Sequence, residues 1–117
     1  FIGESNIVRG RMIRDELVHF CGTEFVCVDS GFEPNAPVDV LIRPEDINIV
    51  GEDVGQMTGV VKSVLFKGVH YEMIIQAGGF DWKVHSTSMQ PEGSTVGLNV
   101  VPFNIHIMRP MAEAAPA

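Results

Sequence analysis

The sequence predicts an all-β fold, a small barrel with additional strands ahead of it. Three observations carry this reading. Apolar residues recur in short runs at every second position, the spacing of a strand with one buried face. Almost no window shows the 3.6-residue period of a helix. Gly, Pro and Asn stand between the runs and read as turns. Short strands, tight turns and no substantial helix point to a small barrel or sandwich.

In chain order, residues 7–14 predict a strand. Residues 17–20 and 25–29 flank the Cys-Gly-Thr-Glu segment and predict a hairpin, and residues 30–37 a loop. Residues 38–43 and 47–50 are two more strands, followed by an acidic loop over 51–55. The second half gives strands at 57–66, 71–77 and 80–87, a loop at 90–94, then strands at 95–101 and 105–108. The tail, 111–117, has no core-forming pattern and predicts a frayed end. One OB-like domain over residues 1–110 is expected, with a first strand set over 1–56. The second set, 57–110, has the five-strand size of an OB-type barrel.

One hairpin fixes its own register. Gly78-Gly79 suits a two-residue turn, because glycine accepts positive φ at both central positions. Ala77 then faces Phe80, Ile75 faces Trp82, Met73 faces Val84 and Tyr71 faces Ser86. The other face gathers Gln76 with Asp81, Ile74 with Lys83, Glu72 with His85, and His70 with Thr87. A slip by one residue would mix the two faces. Tyr71, Met73, Ile75, Phe80, Trp82 and Val84 are therefore assigned to the core.

The segment Asp-Val-Leu-Ile-Arg-Pro-Glu-Asp-Ile-Asn-Ile-Val, residues 39–50, interrupts a strand pattern with charges and a proline. Pro44 has no N–H for a ladder, so pairing stops there. Glu45 and Asp46 can turn the chain through their side-chain oxygens. Arg43 is expected to fix the corner on a carboxylate or on loose carbonyls. Arg43, Pro44 and Glu45 thus form a structural corner.

Composition excludes several functions. The 117 residues are 45% hydrophobic and 20% charged, ordinary for a folded domain, and the net charge is −7. That balance opposes binding to a nucleic-acid backbone, whose affinity comes from Lys and Arg. No apolar run is long enough to cross a bilayer, so no membrane insertion is expected. The chain begins at Phe1 inside a patterned segment, which reads as a piece of a longer protein without a secretory signal. Cys21 and Cys27 form no C-x-x-C pair and read as reduced thiols.

No phosphate-binding glycine loop is present, so neither catalytic nor cofactor-binding residues are assigned. His19, His70, His85 and His106 lack metal-ligand spacing. His70 and His85 share the polar hairpin face diagonally, without an evident third ligand. Glu45, Asp46, Glu52 and Asp53 make a local acidic patch that can attract a cation or a basic partner surface. Trp82 and Phe80, on the apolar face, are not placed to stack bases.

The stretch Val-Leu-Ile-Arg-Pro-Glu-Asp-Ile, residues 40–47, resembles the strand and corner of the TOBE domains, the C-terminal regulatory domains of bacterial ABC importer ATPase subunits. Phe-Ile-Gly-Glu-Ser-Asn at 1–6 resembles the junction with the nucleotide-binding domain. Residues 59–75, Gly-Val-Val-Lys-Ser-Val-Leu-Phe-Lys-Gly-Val-His-Tyr-Glu-Met-Ile-Ile, and residues 93–108 are similar to the family's later strands. Within the group, residues 1–8, 43–47 and 66–73 look most like spermidine/putrescine importer ATPase subunits. The molybdate-binding relatives carry an anion motif that is absent here.

The resemblance implies an OB-like domain supporting ATPase-subunit dimerisation and regulation. ATP and Mg²⁺ would bind in a nucleotide-binding domain outside these residues. Partners would be a second ATPase subunit and membrane permease subunits, at the cytoplasmic face of the inner membrane. The residues themselves also admit a free-standing β-barrel sensor of a small cation.

Overall fold

Strand pairing can be followed outward from the two glycines at positions 78 and 79. In the computed structural model, which describes residues 5–110, both adopt positive φ, 61° and 82°. They join β7 (Tyr71–Ala77) to β8 (Phe80–Ser86), and every pair from Ala77 with Phe80 to Tyr71 with Ser86 has the register expected from sequence. Met73, Ile75, Trp82 and Val84 are fully buried and Phe80 packs at the core's margin. Tyr71 departs from expectation: it is half-buried outside the core, at the open end of the hairpin, with its ring 5.0 Å from exposed Phe66.

Eight further strands complete the fold of the described residues. They are β1 (Asn6–Arg14), β2 (Leu17–Phe20), β3 (Thr23–Val26), β4 (Ala36–Ile42), β5 (Asn48–Val50), β6 (Met57–Phe66), β9 (Thr95–Asn99) and β10 (His106–Met108). Pro44–Asp46 and Pro102–Asn104 each form one 3₁₀ turn. The expected all-β, OB-like class is what the structure has. The first hairpin is tighter than expected. Its turn is Cys21-Gly22 alone, with φ of 52° and 75°, and β3 starts at Thr23 and ends before Asp29. Cys21 occupies the left-handed region without being one of the residues that usually signal it.

The ten strands of the described residues form two five-stranded sheets, ordered β10-β4-β1-β2-β3 and β5-β9-β6-β7-β8. Each half of the chain therefore lends its last strand to the other. β5 pairs with β9, and β10 pairs with β4. The halves are built alike. Both first strands carry a bulge, at Met12/Arg14 and Val61/Ser63. Both carry a glycine, Gly10 or Gly59, where a Cβ would come within 2.7 or 2.6 Å of a carbonyl oxygen on the next strand. Both sheets thus draw strands from either side of residue 56.

One hydrophobic core serves both sheets. Phe20 stacks on Phe25 with centroids 4.2 Å apart and lies 5.9 Å from Trp82, which itself meets Phe80 edge-on at 4.7 Å. The Trp82 indole N–H donates to the Ala77 carbonyl at 3.2 Å, so its one polar atom is satisfied inside the core. A second link is polar. Buried Asn6 accepts from the Lys83 N–H at 2.7 Å and donates to the Lys83 and Ile42 carbonyls at 2.9 and 3.2 Å. This side chain ties β1 to β8 across the two sheets. The tail at 111–117, expected to fray, and residues 1–4 of the junction motif lie outside the described residues.

Candidate functional site

The corner after β4 positions a polar concavity. Pro44 is buried and ends the ladder, and the Asp46 N–H closes the 3₁₀ turn on the Arg43 carbonyl at 3.0 Å. No side-chain oxygen caps this turn, so Glu45 and Asp46 turn the chain by backbone geometry rather than through their carboxylates. Among the described residues, Arg43 reaches no carboxylate. Its guanidinium donates to His106 Nε2 of β10 at 3.4 Å, which ties the corner to the strand lent by the second half.

The corner packs against the end of β8 and leaves a cleft with lobes of about 350 and 360 Å³. Glu45, His85, Ser86 and Thr87 line both lobes, with Ile49 and Gln90 walling one and His70 the other. The His70 and His85 rings lie 4.4 Å apart. His85 Nε2 meets Glu72 Oε1 at 3.2 Å, and Lys67 lies 3.8 Å from the same oxygen. Burial alone would raise the Glu72 pKa, but the His85 hydrogen bond and the charges of Lys67 and Lys83 outweigh it, so its carboxyl sits below the usual range. Among the described residues, His70 Nε2 is buried without a hydrogen-bond partner.

A second concavity, a groove of about 570 Å³, is mainly apolar and is lined by Val50, Val54 and Val101 among others. Of the four acidic residues singled out from sequence, Glu45 lines the cleft. Glu52 and Asp53 are exposed on the loop before β6 and line neither concavity, and Asp46 is half-buried in the 3₁₀ turn. The patch is therefore spread over two loops rather than gathered around one pocket. Cys27 is buried and Cys21 half-buried, and burial raises both thiols, which disfavours the reactive thiolate. Among the described residues, no three or more His, Cys, Asp or Glu side chains are grouped to hold a metal ion. None of their helices is long and apolar enough to cross a membrane.

Sequence reasoning placed His70 and His85 on one face but missed Ser86, Thr87 and Gln90 as cleft residues. It also missed the outward-facing backbone of Ile49, which only the strand exchange brings opposite β8.

The strand-only architecture with a shared core defines the class, an OB-like β domain. It resembles a solved structure of the cytoplasmic molybdate-binding protein ModG with molybdate bound. The TM-score is 0.73 at 15% identity, covering 90% of this chain and 96% of that one. At that identity the likeness concerns the fold alone.

The TOBE domain model matches residues 40–108, and the chain belongs to the TOBE domain family. It is 57% identical over 109 residues to the spermidine/putrescine import ATP-binding protein PotA of Desulfitobacterium hafniense (strain Y51), covering 93% of this chain and 31% of that protein. Against the protein of the same name from Clostridium novyi (strain NT), identity is 54% over 97% of this chain and 33% of the relative. With that from Bacteroides thetaiotaomicron it is 56%, over 93% and 24%. The chain spans a third or less of these curated relatives.

Proposed function

We propose that the chain is the C-terminal regulatory domain of the ATP-binding subunit of a spermidine/putrescine importer. In this reading it supports pairing of that subunit with a second copy and carries regulation, and it contributes no catalytic group. ATP and Mg²⁺ belong to a nucleotide-binding domain elsewhere in the parent polypeptide. The permease subunits are partners through that parent, which works at the cytoplasmic face of the membrane.

The observation that carries the reading is the 57% identity across 93% of this chain to a protein named for spermidine/putrescine import. The all-β architecture and the TOBE family membership support it. The test compares the parent subunit with and without residues 1–110. The shortened subunit is expected to bind ATP still but to dimerise more weakly, read by analytical ultracentrifugation, and to lose control of its ATPase rate. Hydrolysis of ATP by the 117-residue chain alone, or unchanged dimerisation and regulation after truncation, refutes it.

A further inference from the structure

The two halves of this molecule close their sheets differently. In the first sheet, β10 lies on the edge, and the outward N–H of Ile107 donates to the carboxylate of Asp29 at 2.9 Å. Asp29 follows β3, so this bond seals the seam between β10 and β3. The second sheet has the same plan. Its edge strand β5 matches β10, with Ile49 at the place of Ile107. The buried residues Trp82 and Val84 of β8 match Phe25 and Cys27 of the β3 segment, which puts Ser86 at the place of Asp29.

The Ile49 N–H also faces outward. Its partner across the ladder is Leu98, whose carbonyl is turned to β6, where it accepts from the Gln56 N–H at 2.9 Å. In an antiparallel pair both residues then direct their N–H and C=O groups away from each other. The Ser86 hydroxyl does not repeat the Asp29 bond but accepts from the Ser88 N–H at 3.1 Å, and no side chain among the described residues meets the Ile49 N–H. The cleft described above opens at this point, lined by Ile49, Ser86, Thr87, Gln90 and His85, with Glu45 on its rim. A backbone N–H at such a seam is satisfied by a partner or by water.

We propose that this open seam binds a small carboxylate, which accepts from the Ile49 N–H as the Asp29 side chain does from Ile107. The hydroxyls of Ser86 and Thr87 and the amide of Gln90 are the further donors within the cleft. Glu45 opposes a second negative charge, so a planar monoanion is preferred to a tetrahedral dianion. The site is independent of the transport assignment and uses residues of this chain alone.

The test is titration of the ¹⁵N-labelled 117-residue chain with sodium acetate at constant ionic strength, with chloride as the reference and sulfate as a second arm. Acetate is expected to move the Ile49 amide resonance saturably, and sulfate to do so more weakly. Glu45→Gln is expected to lower the half-saturating acetate concentration several-fold. Ser86→Asp supplies the missing carboxylate, so its Ile49 amide is expected to start near the shifted position and to ignore acetate. Asp29→Ser is expected to make the Ile107 amide acetate-responsive. An Ile49 amide unmoved by acetate overturns the proposal, as does one that responds equally in Ser86→Asp. Sulfate acting at lower concentration than acetate overturns the monoanion preference.

Discussion

Replacing Asn6 by alanine tests the link between the sheets. Asn6 is 5% exposed and makes three hydrogen bonds, two to the backbone of Lys83 and one to the Ile42 carbonyl. Alanine removes all three and leaves a Lys83 N–H and carbonyl facing a small apolar side chain. A hydrogen bond contributes about 1 kcal/mol net, and stranding a buried partner costs about 1–3 kcal/mol. Lys83 is half-buried, so water repays part of that cost. The sum is about 2–3 kcal/mol, near a 10 °C fall in Tm for a domain of this size. Thermal unfolding followed by circular dichroism reads it directly. A variant within about 0.5 kcal/mol of the parent chain, the range of neutral surface changes, would show that β1 and β8 are held by packing alone.

Three other substitutions have expected outcomes. Trp82→Ala empties a fully buried site beside Phe20 and Phe80. It should cost about 3–5 kcal/mol, measured by urea unfolding, and a loss below about 1 kcal/mol would contradict the core assignment. Gly59→Ala places a Cβ 2.6 Å from the Gln76 carbonyl oxygen, so a loss of about 1–3 kcal/mol from overpacking is expected by the same assay; no loss would mean that β6 and β7 lie further apart. Glu72→Gln tests the His85 pair. The Glu72 pKa is depressed in the folded chain, so its contribution is present above the ordinary carboxylate value of 4.5 and is lost as pH falls through the folded value. The stability gap between the parent and this variant should narrow on acidification from neutral pH to below that range, and a constant gap would refute the pairing.

Much of the fold was legible in residues 57–87, because Gly78-Gly79 fixes a register and alternation assigns each face. The first half was harder to read. Cys21 takes a glycine-like φ of 52°, which its side chain does not announce, so the first turn read as four residues instead of two. Asp29 read as the end of a strand but instead bonds to β10. The strand exchange left a signal that pattern reading passed over. Residues 42–49, Ile-Arg-Pro-Glu-Asp-Ile-Asn-Ile, echo residues 100–107, Val-Val-Pro-Phe-Asn-Ile-His-Ile. Each stretch leads from a strand through a proline turn into the strand lent to the other sheet.

At the site, Glu45 was legible as a corner carboxylate. The cleft was not, since Ile49 contributes through its backbone and Ser86, Thr87 and Gln90 have side chains common in any loop. Local pattern also gave no reason for Arg43 to meet His106, 63 residues away.

The assignment to polyamine import is tested most directly by uptake. In a strain lacking the gene that encodes this chain, accumulation of radiolabelled spermidine should fall to background and return with the intact gene. Undiminished spermidine uptake, together with loss of uptake of an unrelated solute, would contradict it.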